Sequence, residues 1–139
     1  MVKIKICGLK RLEDIEFANR YKPDYVGFVF AESKRKVDHN LAKQMKAKLC
    51  EDIQSVGVFV DADISEILKL CSDGTIDIAQ LHGNESEEYI KQLKTLTNKP
   101  IIQAFQITKK TDINIIQNSI ADYILLDSGA GTGTVFDWN

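Results

Sequence analysis

Two side chains of this sequence are best placed to move protons: the thiol of Cys7 and the carboxyl of Asp127. Cys7 closes an apolar run with strand character and is followed at once by Gly8; Asp127 closes a second such run and opens into a loop holding Gly129, Gly131 and Gly133. A strand that ends in a reactive side chain beside a glycine fits the C-terminal edge of a parallel sheet, where α/β proteins keep their chemistry. Lys5 shares a strand face with Cys7, and a neighbouring cation makes a thiol easier to ionise, hence a better general base or nucleophile. A carboxyl at such a mouth can serve as a general acid when partial burial holds its proton. Each residue also has an ordinary reading. A lone cysteine is commonly a small core residue, and an aspartate at a strand-to-loop junction often only accepts turn amides.

Other groups cluster around the same kind of position. Gln80, His82 and Gly83 close the fourth strand-like run, with Gln80 and His82 on one face, so a Cys7/His82 pair across a barrel mouth is conceivable beside the plainer reading of a hydrogen-bonded interior histidine. Lys34, Arg35 and Lys36 follow the second run after Ser33; such a charge run is often only solvated, yet here Arg35 is placed to grip an anionic substrate. The glycines at 129, 131 and 133 do not make a dinucleotide fingerprint, because Thr134 stands where the third glycine belongs and the loop follows a sixth strand rather than a first. No Walker lysine follows them, which disfavours an ATPase. Asp137 reads as a helix N-terminal carboxylate. His39 is the only other histidine, which makes a zinc site improbable. Cys71 and Cys50 fit helix positions facing a core.

Strand-like runs recur at residues 2–7, 25–30, 55–60, 76–81, 100–105 and 123–126, with helical periodicity between them. Helices are expected over residues 12–21, from about 41 to 49 with Asn40 as cap, through Ile64, Ile67, Leu68 and Cys71 with Asp73-Gly74 as stop, from Ser86 onward through Tyr89, Ile90, Leu93 and Leu96, and from about 112 to 120. Strict alternation requires parallel strands, because a parallel neighbour cannot be reached by a hairpin. Within the first strand Ile4 and Ile6 oppose Lys3, Lys5 and Cys7, and within the fourth Ala79 and Leu81 oppose Ile78, Gln80 and His82. One face therefore turns polar toward the C-terminal end, as a (β/α)8 barrel interior does and a doubly wound sheet does not. The units repeat about every 24 residues, so eight of them need roughly 190. The chain has 139 residues and supplies six strands and five helices, a single partial barrel domain over residues 1–139.

The composition is that of an ordinary globular domain: 44% hydrophobic residues and a formal net charge of -2 leave no bulk signal for nucleic acid. Three cysteines without close pairing read as reduced thiols of a cytoplasmic protein. No run approaches the length of a membrane span, and the N-terminus lacks the apolar region of a signal peptide.

Taken jointly, Lys5-Ile6-Cys7-Gly8-Leu9, Gly27-Phe28-Val29-Phe30 with Ser33-Lys34-Arg35, Val56-Gly57-Val58-Phe59-Val60, Gln80-Leu81-His82-Gly83, and Leu126-Asp127-Ser128 with Gly131-Thr132-Gly133 and Phe136-Asp137-Trp138 resemble phosphoribosylanthranilate isomerase of tryptophan biosynthesis. They run in the family's order across essentially the whole chain. One departure is Lys34, in the place of the proline of a Ser-Pro-Arg turn. The resemblance implies a (β/α)8 barrel, no cofactor and no metal, and an aldose-to-ketose Amadori rearrangement of N-(5-phosphoribosyl)anthranilate. It implies Asp127 as the acid that protonates the ring oxygen, Cys7 as the base that removes the C2 proton, Arg35 as the holder of the anthranilate carboxylate, and Gln80 and His82 as residues lining the substrate site. Phosphate in such barrels is commonly held after strands seven and eight. The expectation is thus a form truncated after the sixth strand, inactive or nearly so alone, that self-associates or takes up a C-terminal fragment through its open edges. Two rivals stand beside it: an aldolase-like enzyme using Lys5 as a Schiff-base lysine, and a non-catalytic assembly module.

Overall fold

The computed structural model describes residues 1–107 and 116–128. Six parallel strands, β1 (Lys5–Cys7), β2 (Tyr25–Val29), β3 (Gln54–Phe59), β4 (Ile78–Leu81), β5 (Ile101–Gln106) and β6 (Tyr123–Asp127), stand in the sheet in the order of the sequence. Between them run α1 (Leu12–Tyr21), α2 (His39–Lys48), α3 (Ile64–Ser72) and α4 (Glu87–Leu96). A doubly wound sheet reverses its strand order at a switch point. This one never reverses, and it forms the wall of a partial barrel. Of the helix expected over residues 112–120, residues 112–115 lie outside the described residues; Ile116 and Gln117 are helical, Asn118 turns, and Ser119 and Ile120 are not helical, with Ile120 packed against the core.

The register aligns Cys7 with Gly27, Gly27 with Val56, Val56 with Ile78, Val58 with Gln80, Gln80 with Ile102, and Gln106 with Asp127. Alternation along each strand then separates two faces. Val26, Phe28, Phe59, Ala79, Leu81 and Ile101 turn outward into the main core, where Ile15, Met45, Ile67, Leu70, Ile90 and Leu93 of the helices meet them. Lys5, Cys7, Gln80 and Asp127 belong to the opposite, inner face. From Ser55 to Phe59 every residue of β3 is buried, as a parallel strand covered on both sides should be.

Local chemistry sets the element ends. Asp14 accepts the amides of Lys10 and Arg11 at the start of α1, and Lys22 closes that helix at φ 48 just before Pro23. Ser86, the expected start of the fourth helix, is the cap of α4, its hydroxyl accepting the Tyr89 amide. For α2 the cap is Asp38 rather than Asn40: the Asp38 carboxylate accepts the amide of Leu41, which starts the helix two residues early and places Asn40 inside its first turn. β1 is shorter than the apolar run that predicts it, because pairing with β2 begins at Lys5 opposite Tyr25; the preceding residue, Ile4, is held instead by Asp24 through its amide.

Two aspartates tie α2 to the segment entering β4. Asp73 accepts the Thr75 amide at 3.0 Å, the Thr75 hydroxyl at 2.7 Å and His39 Nε2 at 2.7 Å, with Lys43 at 3.8 Å. Burial by itself would raise its pKa, but the bonds from Thr75 and His39 win and bring it from 3.8 down to about 2. Asp77 is depressed likewise, burial being outweighed by Lys46 and Ser55. A carboxylate whose folded pKa lies below its unfolded value contributes stability that is complete above the unfolded pKa and is lost as pH falls through the folded one. Urea midpoints should therefore decline as pH drops from about 4 toward 2, and Asp73→Asn should be less stable at pH 5 and flatter across that window. Parallel curves for the two proteins would remove Asp73 from the account.

Among the described residues β1 and β6 each have one strand neighbour, and the outer face of both lies open. Ile4, Ile6, Ile124 and Leu126 are all exposed there, as are Phe17 and Tyr21 of α1 beside β1.

Candidate active site

Four polar residues of the inner face are joined in one hydrogen-bonded chain. Lys5 Nζ donates to Gln80 Oε1; Gln80 Nε2 lies 3.0 Å from His82 Nδ1; His82 Nε2 lies 3.1 Å from Asp127 Oδ2. The chain begins on β1, crosses to β4 and ends on β6, spanning the sheet near the C-terminal ends of its strands. Gln80 is 2% exposed, whereas the side chains of His82 and Asp127 keep 34% and 27% of their surface. The line therefore runs from a partly buried lysine through a buried glutamine to an accessible end. Burial lowers the pKa of Lys5, and the charge of nearby Cys7 acts in the opposite direction.

Cys7 is exposed and packs across β2 at Gly27. A methyl group at position 27 would lie 2.6 Å from the Cys7 sulfur and 3.1 Å from its Cα, so only glycine leaves the thiol its place. Gly8, at φ +87, turns the chain directly after the thiol, and the amides of Gly8 and Leu9 both donate to the Gly27 carbonyl. Arg35 lies over this turn: a Cβ on Gly8 would fall 2.4 Å from Arg35 Cδ. Its loop is fastened without the proline, since Ser33 Oγ accepts the Arg35 amide and the Lys34 carbonyl accepts Lys10 Nζ. Val37 returns its amide to Val29, which anchors the far side of the loop to β2.

The structure thus gathers Lys5, Cys7, Arg35, Gln80, His82 and Asp127 at one end of the sheet. One sequence expectation needs correction. His82 does not pair with Cys7, because both ring nitrogens are engaged, Nδ1 with Gln80 and Nε2 with Asp127. The glycines at 129, 131 and 133 and Asp137 lie outside the described residues.

A family model for N-(5'phosphoribosyl)anthranilate (PRA) isomerase matches residues 4–139. The chain belongs to the PRA isomerase family. Membership makes it an enzyme sequence of tryptophan biosynthesis, and relatives and solved structures agree. The N-(5'-phosphoribosyl)anthranilate isomerase of Endomicrobium trichonymphae is 48% identical over 144 aligned residues, covering all of this chain and 70% of that relative. The crystal structure of phosphoribosyl anthranilate isomerase from Thermotoga maritima superposes with a TM-score of 0.87 at 33% identity, covering 99% of this chain and 69% of the other. A PRA isomerase in complex with reduced 1-(o-carboxyphenylamino)-1-deoxyribulose 5-phosphate superposes with a TM-score of 0.83 at 33% identity, covering 91% and 65%.

Two residues beside this cluster are not legible in the sequence. Glu85, 8% exposed, accepts the Asp61 amide at 2.8 Å and the Gly83 amide at 2.9 Å, while Asp61 Oδ1 accepts the Asn84 amide. This clamp joins the loops leaving β3 and β4 and holds the turn that follows His82. A Cβ at Gly83 would lie 2.6 Å from Asp61 Oδ1, so the glycine is what lets the loops close. A single carboxylate in a polar loop carries no periodicity, and nothing in the sequence marks it out. Beside it, burial first and then the charges of Glu85, Asp63, Asp61 and Glu66 push the Tyr89 hydroxyl up to about 12, so it stays protonated and donates to the Ala62 carbonyl at 2.6 Å.

Proposed function

We propose that Asp127 and Cys7 are the acid and base of an Amadori rearrangement, with N-(5'-phosphoribosyl)anthranilate as the substrate. The observation that carries this reading is the placement of both groups at strand C-termini on one inner face, with the Lys5–Gln80–His82 chain running from beside Cys7 to Asp127. Asp127 transfers a proton to the furanose ring oxygen, the C1–O bond breaks, and the anilino nitrogen supplies electrons to give a protonated Schiff base. His82 donates to the carboxylate that remains. The Cys7 thiolate then takes the proton from C2, the electrons pass to nitrogen as the enolamine forms, and tautomerisation yields the 1-amino-1-deoxyketose. Lys5, two residues from Cys7 on the same strand face, sets a positive charge beside the thiolate. Arg35, above the Gly8 turn, pairs with the anthranilate carboxylate, for which a planar guanidinium is suited. Gln80 and His82 line the mouth. A cytoplasmic setting belongs to the same proposal, supported by the three free thiols of Cys7, Cys50 and Cys71; no helix among the described residues is long and apolar enough to cross a membrane.

The open edges give the reading a second part. Unpaired strand edges and exposed apolar residues are an incentive to associate, and β1 and β6 each carry both. We propose that this chain self-associates, or takes up a separate polypeptide holding the C-terminal part of a family relative, through these edges. The test is to purify the chain with its mass confirmed, weigh it by light scattering, and follow loss of substrate fluorescence with and without that polypeptide. Oligomers, and turnover that appears or rises on complementation, are the expected results. A monodisperse monomer with normal turnover would defeat the association, while a complex that binds but never turns the substrate over would defeat the enzymatic reading.

A further inference from the structure

The inner-face chain permits only one set of proton positions, and the reason lies at its lysine end. A lysine ammonium has donors and no acceptor, so the Gln80 group facing Lys5 must be the carbonyl oxygen. The Gln80 amide is therefore fixed in orientation, and its NH2 faces His82 Nδ1 at 3.0 Å. A ring nitrogen that meets an NH2 group has to accept. The imidazole proton then sits on Nε2, which donates to Asp127 Oδ2 at 3.1 Å.

We propose that Lys5 and Gln80 are positioning residues that lock His82 in the Nε2–H tautomer, so that the ring always presents a donor to Asp127. The inference rests on the acid role given to Asp127 above and deepens it. A carboxylic acid that gives up its proton is left charged, and a preset donor stabilises that charge at the moment it forms without reorganising. If His82 instead carried its proton on Nδ1, Nε2 would present a lone pair to the new carboxylate and oppose its formation. Lys5 accordingly serves at both ends of the reaction. It sets charge beside Cys7 directly, and it orders the donor at Asp127 through two intervening side chains. The 2% exposure of Gln80 keeps water from offering the amide an alternative partner.

The experiment is nitrogen-15 NMR of the His82 ring, which reports the protonation of each ring nitrogen and is independent of turnover. In the unsubstituted chain, Nε2 should be protonated and Nδ1 bare. A bare Nε2 with a protonated Nδ1 overturns the proposal whatever any variant does. In Gln80→Glu the carboxylate offers only acceptors, so Nδ1 should gain a proton. In Lys5→Met the amide loses the group that orients it, and both nitrogens should move toward exchange-averaged values. Lys5→Arg, which keeps a donor-only cation, should restore the native pattern. A folded Gln80→Glu or Lys5→Met protein with the native pattern unchanged would also overturn the lock. Because none of these signals depends on activity, a failed lock leaves the acid and base roles of Asp127 and Cys7 standing, and failure of those roles would show only in kinetics.

Discussion

Asp127→Asn and Cys7→Ala should each lower kcat by about 10²- to 10⁴-fold, the range over which a positioned acid or base contributes, with KM nearly unchanged. The kinetics are to be read in the preparation that turns the substrate over, alone or complemented. The expectation for Asp127→Asn is unusually specific to the proton. The asparagine carbonyl can still accept from His82 Nε2, which lies 3.1 Å from the native Oδ2, so the shape and the His82 contact are retained while the transferable proton is lost. For Cys7→Ala the thiol is exposed, and a surface substitution of this kind costs within about 0.5 kcal/mol of stability. A loss confined to kcat is the signature of interactions made in the transition state. Turnover at the unsubstituted rate in either variant would sink that residue's role, and a large rise in KM instead would make it a binding residue.

The second large effect is expected at a residue with no functional group. Gly27→Ala places a methyl 2.6 Å from the Cys7 sulfur, 3.1 Å from its Cα and 3.2 Å from its Cβ. The Cys7 Cα belongs to the backbone of β1, so rotation of the thiol cannot relieve the clash alone and the two strands must part. The Gly27 carbonyl also receives the amides of Gly8 and Leu9, at 2.9 and 3.1 Å, and its displacement loosens the turn on which Arg35 rests. Misplacing a reacting group by about 1 Å can cost 10²-fold in rate, and overpacking of this kind typically costs about 1–3 kcal/mol of stability. We expect kcat to fall by roughly 10²-fold, alkylation of Cys7 to change its rate, and the urea midpoint to drop. Gly74→Ala is the control. It has a left-handed φ of +76 but nothing within 4 Å of an added Cβ, so it should lose about 1–2 kcal/mol through backbone strain and leave kcat alone. A folded Gly27→Ala protein with unaltered turnover would show that the base does not depend on this strand contact.

The sequence alone determined the alternation of strands and helices, and with it the barrel class, because those signals are local. The ten residues of α1 are legible from the spacing of Leu12, Ile15 and Ala18 and from Pro23 just beyond, and parity within a strand puts Lys5 with Cys7 and Gln80 with His82. The whole set of motifs also points to the family to which the chain belongs. The cap of α2 is Asp38 and not Asn40 because, of two residues that both make good caps, only Asp38 takes the bond from Leu41. What the tertiary structure decided is which partner each polar group takes. On sequence grounds His82 could meet Cys7 across a barrel mouth or be a hydrogen-bonded interior histidine of unstated partner. The register running from β1 through β4 to β6 gives its two nitrogens to Gln80 and Asp127. Gly27 shows the same division: its type is plain in the sequence, but its need to be glycine follows from standing opposite Cys7. Strand pairing joins residues tens of positions apart, as Lys5 and Gln80 are, and periodicity within one segment holds no record of what lies across from it.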